Sequence, residues 1–549
     1  MLDRHDGNPG ITPMSRTDTH WWQSGVIYHC YPRSFMDGDG DGIGDLPGLR
    51  TRLDHLEWLG VDALWLSPIY PSPMADFGYD VSNYTDIHPL FGTLADFDAL
   101  VRDAHARGIR VILDFIPNHT SDEHPWFQAS RASPRSDKRD WYIWRDPGPD
   151  GGPPNNWLAS FGGAAWSWDE TAGQYYYHAY LARQPDLNLR NPAVRKALGD
   201  VLRFWLDRGV DGFRIDALRQ IVKDDHWRDN PPNPDWSPDE GPYKSLLPVY
   251  TTDRPEVKEI IAQWRQLSDR YDERVLIGEL YLPIERLVTY YGRDGEGIHL
   301  PFNFHLISER WEARAIEALI ERYEAALPAD AWPNWVLGNH DNHRVASRIG
   351  AAQARVAAML LLTLRGTPTL YYGDELGMKD VPIPPDRVQD PFEKNVAGLG
   401  LGRDPERTPM QWDGGANAGF TTGTPWLPVA DDHAVTNVAA ERRDPRSMLN
   451  LHRRLLALRR SSQALCVGDY RHVPADGTLL AYRRLHGDQQ FLVALNLGAQ
   501  PQTLDLSSLA GHREVALSTH LDREGERPAG SLALRPDEGV VVSLQDALR

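Results

Sequence analysis

The stretch Ile109–His119, IRVILDFIPNH, is nearly continuous in apolar residues and closes on Asn118 and His119. An apolar run without polar alternation marks a parallel strand covered on both faces. Comparable segments recur at Gly25–Phe35, Val61–Pro68, Val210–Ala217, Arg274–Tyr281, Ile298–Leu306, Asn334–Asp341 and Pro368–Leu376. Most are followed by a helical pattern, as in Leu94–Arg107 and Pro192–Arg208; in the first, Leu94, Phe97, Leu100, Val101 and Ala104 share one face. Eight strands alternating with helices predict an α/β fold, a (β/α)8 TIM barrel. The rival, an open doubly wound sheet, calls for a glycine-rich phosphate loop after an early strand, and none is present.

Three stretches interrupt this rhythm, each after a strand, at the end of a barrel where active sites are built. Residues 120–183, rich in Trp, Pro, Gly and Asn, read as an inserted subdomain after the third strand. Asp224–Asp253 contains the irregular NPPNPDWSPDEGP, and Met378–Pro428 is again rich in Pro and Gly. From residue 461 to 549 short alternating strands such as Leu479–Leu485, Phe491–Leu497 and Val540–Leu544 predict a C-terminal antiparallel β-sandwich. The barrel then occupies 21–119 and 184–460, and residues 1–20 read as a disordered lead-in without the apolar core of a signal peptide.

Composition narrows the function. The 549 residues carry 58 basic and 77 acidic side chains, a net charge of −19, which argues against nucleic acid or an anionic membrane as partner. The longest apolar run, between Arg355 and Arg365, is too short to span a bilayer, and two cysteines, Cys30 and Cys466, make no disulfide framework. A soluble cytoplasmic protein is expected. Nineteen tryptophans suit sugar ligands as well as a large core.

The chemistry sits where strands end. Asp216 closes the fourth strand in GFRIDA, Glu279 the fifth in LIGELY and Asp341 the seventh in VLGNHD. Each could be a turn acid, but three in one barrel mouth point to a site. Side chains two apart share a strand face, so Arg214 should keep Asp216 ionised. Glu279 has Ile277 and Tyr281 at the matching positions and no basic neighbour, so desolvation should favour its neutral form. A charged acid beside a protonated one is the equipment of glycoside hydrolysis, with Asp341 placed to stabilise a cationic transition state. His119 and His340 adjoin these acids; no HxH or HExxH spacing supports zinc, and contact with sugar hydroxyls is the favoured reading. Separately, DGDGDGIGD at Asp37–Asp45 spaces Asp37, Asp39, Asp41 and Asp45, with the carbonyl of Ile43, as oxygen ligands for a structural Ca²⁺.

Together these motifs resemble glycoside hydrolase family 13, the α-amylase family, in its oligo-1,6-glucosidase/α-glucosidase branch. DFIPNH, QPDLN at Gln184–Asn188, GFRIDA, the Glu279 segment and GNHD stand in the family's order, and the likeness runs from about Trp21 along nearly the whole chain. The resemblance implies Asp216 as nucleophile, Glu279 as general acid/base and Asp341 as transition-state stabiliser. It implies Tyr79, Asp80, His119, Arg214 and His340 as contacts to the terminal glucosyl unit, and Phe161 and Phe302 as aromatic walls near the entrance. Arg403 and Arg407, in GRDPERTPMQW, match the branch's arginines; the second is expected to pair with Asp80 and close the pocket behind one glucose. The DGDGDGIGD loop is similar to the branch's calcium loop, and no organic cofactor is implied. The expected activity is a retaining, exo-acting α-glucosidase on short α-glucosides, with transglucosylation to hydroxyl acceptors. A sucrose isomerase or trehalose-forming transglycosylase is the rival enzyme; a non-enzymatic scaffold would lack the catalytic set. The chain departs from the pattern at Ala217, where α-1,6-preferring members commonly have Val and α-1,4-preferring ones Thr. It departs again at Asn342–His343–Arg344, where many have Gln-Pro-Arg, and at Arg219 and Gln220, which replace the amylase-type Lys-His pair.

Overall fold

The computed structural model describes residues 19–509 and 511–545. Eight parallel strands form one sheet: β1 (Ile27–Cys30), β2 (Ala63–Leu66), β3 (Arg110–Phe115), β4 (Gly212–Ile215), β5 (Val275–Gly278), β6 (Leu300–Pro301), β7 (Asn334–Val336) and β8 (Thr367–Tyr371). Their order is β7-β8-β1-β2-β3-β4-β5-β6, so each strand lies beside its neighbour in sequence and β8 returns to β1. Among the described residues no ladder joins β6 to β7. β6 is the shortest strand and contains Pro301, which has no N–H to donate.

Residue parity makes the barrel. Ile27, Ala63, Trp65, Ile112, Val275, Ile277, Leu300 and Val336 form one interior cluster from strands all round the sheet. Their neighbours Tyr28, Leu64, Val111, Leu113, Phe213, Ile215, Leu276 and Trp335 point outward into the shell of helices. The helix Leu94–His105 buries Phe97, Leu100, Val101 and Ala104, and Pro192–Asp207 starts on an Asn191 cap with proline in its first turn. The apolar run before Arg365 belongs to the helix Ala351–Thr363, which is buried nearly all round. Among the described residues no helix is long and apolar enough to cross a membrane.

The insertion after β3 forms a three-stranded antiparallel sheet in the order Trp144–Arg145, Gln174–Tyr177, Trp166–Asp169. Trp157, Trp166 and Tyr177 make its core, with Trp227 from the loop after β4 packed against them. A bridge between His119 and Asp186 pairs the segments where the insertion leaves and rejoins the barrel, and one between Tyr142 and Leu187 pins its interior to the returning chain. At the C-terminus a five-stranded antiparallel sheet and a two-stranded one enclose a second core. In the strand Gln489–Asn496, Leu492 and Ala494 face that core, whereas Val493 and Leu495 face the barrel's helices. The lead-in expected over 1–20 lies outside the described residues as far as residue 18. His20 belongs to the fold: it stacks on Trp22 at 4.2 Å and bonds Glu273 Oε1 at 2.9 Å.

Candidate active site

Inward parity brings Asp114 of β3 and Arg214 of β4 into register with Ile277 of β5, one step below Asp216 and Glu279 at the rim. Arg214 is fully buried and its guanidinium is shared. Nη1 donates to Asp114 Oδ1 at 2.8 Å and to Asp216 Oδ1 at 2.7 Å, and Nη2 lies 3.0 Å from Glu279 Oε1. Glu279 Oε2 accepts the N–H of Ala217 at 2.7 Å. Ala217 holds a left-handed backbone, φ 48° and ψ 30°, which aims that N–H at the glutamate.

This corrects the expected division of labour. Glu279 does have a basic neighbour; it arrives from the adjacent strand. Arg214 does not single out Asp216 either. Burial, and then the Glu279 carboxylate, push Asp216 well above the usual carboxylate range against the pull of Arg214. Beneath them burial raises Asp114 to about 6, although Arg214 and the Tyr79 hydroxyl, which donates to Oδ2 at 3.1 Å, favour its charged form.

Two histidines stay neutral for want of solvent. Burial lowers His340 well below its ordinary value and His119 to about 4. His340 Nε2 and the Tyr79 hydroxyl share a 2.7 Å hydrogen bond, and their rings lie parallel with centroids 5.4 Å apart. His119 Nε2 lies 3.2 Å from both the Tyr79 carbonyl and Gln184 Nε2.

Asp341 receives Arg407 Nη2 at 2.8 Å and Arg403 Nη1 at 3.2 Å, with His340 Nε2 at 3.4 Å. Burial alone would raise this acid, but the charges of Arg403 and Arg407 hold it well below the usual range. Arg403 also binds Asp76 Oδ1 at 2.9 Å and Asp390 Oδ1 at 2.7 Å, and lies over the Phe161 ring at 4.7 Å. The expected pairing of Asp80 with Arg407 is not formed. Asp80 is fully buried and accepts from Ser72 Oγ, Ala75 N and Asp76 N at 2.8–2.9 Å; burial raises it to about 6. Arg407 instead spans Asp341 and the His340 carbonyl, so the acid–arginine pair on the pocket wall is Asp76 with Arg403.

One cavity of about 510 Å³ is lined by Asp76, Tyr79, His119, Phe161, Asp216, Glu279, His340, Asp341 and Arg403. Phe302 is not part of its entrance. It is fully buried inside the barrel, against Trp65 at 5.4 Å and Phe304 at 5.5 Å. The aromatic rim consists of Phe161 with Phe392 (5.2 Å) and Tyr180 (5.4 Å), and of Tyr281 stacked on Phe304 at 4.3 Å. Sequence reasoning missed Asp114, Asp76, Gln184 and Tyr281. Strand parity with Ile112 would have found Asp114, and parity with Glu279 puts Tyr281 on the same face; Asp76 and Gln184 lie on irregular backbone, which has no period to read.

In the acidic loop, oxygens of Asp37, Asp39 and Asp45 lie within 4.8 Å of one another, whereas Asp41 stands outside that group. Asp37 accepts the N–H groups of Asp39, Gly40 and Gly42 together with the Thr421 hydroxyl, and Asp45 those of Gly38 and Gly48. Three pre-positioned carboxylates with oxygen-only donors fit a hard cation such as Ca²⁺. Asp41 carries its oxygen to the N–H of Ile43 instead.

Residues 29–468 match the family model described as alpha amylase, catalytic domain, and residues 470–536 that of the maltogenic amylase C-terminal domain. A probable alpha-glucosidase of Rhizobium meliloti (strain 1021) is 41% identical over 542 residues, covering 95% of this chain and 98% of that protein. The crystal structure of the alpha-glucosyl transfer enzyme XgtA superposes with a TM-score of 0.90 at 40% identity, covering 96% of this chain and all of that one. The trehalulose synthase MutB, in complex with Tris, gives a TM-score of 0.87 at 34% identity with the same coverage.

Proposed function

The chain belongs to the α-amylase family of glycoside hydrolases and is a glucosidase by its relatives, and from that premise we propose that it is a retaining, exo-acting α-glucosidase. Asp216 attacks the anomeric carbon of a terminal glucosyl unit while Glu279 protonates the departing oxygen. Glu279, now a base, then activates the water that releases glucose from the covalent glucosyl-enzyme. Asp341, kept charged by Arg403 and Arg407, stabilises the cationic transition state. Neutral His119 and His340 exchange hydrogen bonds with sugar hydroxyls, and Tyr79 supplies a flat apolar face.

The observation that carries this reading is Asp216 and Glu279 on two nitrogens of one buried guanidinium, both lining one cavity. Exo action is supported by the buried Asp76–Arg403–Asp390 cluster, whose Asp76 and Arg403 side chains form the cavity wall on that side. An alcohol or a second sugar in place of water gives transglucosylation. Asp37, Asp39 and Asp45 hold a structural Ca²⁺ away from the chemistry.

The deciding measurement is the anomer first released from maltose, followed by proton NMR before mutarotation. α-Glucose is expected; β-glucose would falsify the double displacement. Sucrose in the same assay should give glucose and fructose, and accumulation of an isomeric disaccharide would favour an isomerase instead.

A further inference from the structure

Glu406 is only 1% exposed, yet its Oε2 has no hydrogen-bond partner. The next residue, Arg407, is turned to Asp341 and the His340 carbonyl. Arg344, the buried cation after β7, gives Nη1 to the Tyr372 carbonyl. Neither arginine answers this oxygen, and a buried carboxylate oxygen without a partner is costly. It points at two other ligand-bearing groups: His343 Nδ1 lies 3.8 Å away, and Asp380 Oδ2 lies 2.9 Å from that nitrogen. All three atoms fall within 4.8 Å of one another. Asp380 is locked in this pose, because its Oδ1 accepts the Arg344 N–H at 2.8 Å and its own N–H donates to Ser347 Oγ at 2.7 Å. That leaves Oδ2 facing the cluster. The side chain of His343 is 51% exposed, so water can reach the open positions.

We propose that His343, Asp380 and Glu406 form a site for a divalent transition-metal ion at the rim between the segments after β7 and β8. One imidazole nitrogen with two carboxylate oxygens suits Zn²⁺, Co²⁺ or Mn²⁺; Ca²⁺ and Mg²⁺ prefer oxygen alone. Metal–ligand distances of about 2.0–2.2 Å place tetrahedral donors roughly 3.3–3.6 Å apart, between the 2.9 and 3.8 Å separations seen here. Binding replaces the His343–Asp380 hydrogen bond and releases its proton. The ion gives the Glu406 oxygen the partner it lacks and ties the stretch carrying Asp341 to the stretch carrying Arg407. The site does not depend on the proposed activity, and its oxygen–nitrogen donor set sets it apart from the oxygen-only loop at Asp37–Asp45.

The test is Co²⁺ titration of the full-length, chelator-stripped protein in excess Ca²⁺, read by calorimetry and visible absorption. One tight equivalent with d–d bands is expected. His343→Gln, an exposed and therefore foldable substitution, should weaken it at least tenfold, as should Glu406→Gln where circular dichroism shows it folded. His472→Gln, in the separate Glu317–Glu321–His472 cluster, should leave it unchanged. Co²⁺ should raise the melting temperature of the native chain and not that of His343→Gln. The site is refuted if the native protein shows no tight equivalent, if tight binding survives His343→Gln, or if His472→Gln alone abolishes it.

Discussion

Asp76 and Asp80 stand in one loop and do opposite work. Asp76 lies on the cavity wall, bound to Arg403 and Gln184 Nε2; Asp80 lies behind it and holds the loop's own N–H groups. Asp76→Ala should therefore lower kcat/KM roughly 10–100-fold, since a charge-assisted hydrogen bond contributes about 1.5–3 kcal/mol. Its melting temperature should barely move, because Arg403 keeps Asp390 and Asp341. Asp80→Ala strands Ser72 Oγ and two buried N–H groups, so it should depress melting while the folded fraction keeps native turnover. The reverse pattern in steady-state kinetics and calorimetry would restore Asp80 to the pocket. Asp114→Asn should cost kcat more than KM, since Asp114 touches Arg214 and Tyr79 and lies outside the cavity lining. The sequence DFGYD at Asp76–Asp80 shows why the inward aspartate is hard to pick from sequence: an acid stands on either side of a turn, and nothing periodic says which one faces the pocket. Glu279 shows the same limit on a regular strand. Parity reports neighbours along a strand, and its cation came from across the sheet.

At the scale of elements the strands were legible because burial on both faces writes apolar runs, and the helices because one face repeats. What was overlooked is also explained by parity. Phe302 follows Leu300 by two and so points into the barrel with it, which the shortness of β6 concealed. A pH effect belongs to the helix Met448–Arg460. Glu441 Oε2 accepts the Leu449 N–H in its first turn at 2.9 Å, and burial, reinforced by Glu375, raises Glu441 to about 8. A folded value above the unfolded one of 4.5 means the proton stabilises the fold: the contribution is full below about 4.5 and is lost as pH rises through about 8. Glu441→Gln keeps an acceptor for that N–H without the charge. Its melting temperature should equal the native one near pH 4, rise above it from there, and keep a constant lead above about pH 8. Curves that stay superimposed to pH 9 would exclude the assignment.

Across the whole molecule, the acidic loop after β1 is stitched to the far end of the Pro- and Gly-rich segment that follows β8. Asp37 N donates to the Phe420 carbonyl at 3.1 Å, the Thr421 hydroxyl meets Asp37, and Trp426 N donates to the Gly42 carbonyl at 3.1 Å. A cation among Asp37, Asp39 and Asp45 would therefore brace two distant segments. Chelation should lower the melting temperature while leaving the initial rate near its starting value; an immediate loss of rate in protein still folded by circular dichroism would place that ion in the chemistry instead. This brace was not legible in the sequence, since it joins loops far apart in it. The shared grip of Arg214 has a consequence for anyone reshaping the enzyme. Replacing Asp216, the proposed nucleophile, with a mute residue leaves Nη1 of this buried cation to Asp114 alone, with one of its N–H groups unanswered. A variant of that kind carries a half-satisfied cation under its floor, so its robustness and its speed will have to be tuned jointly.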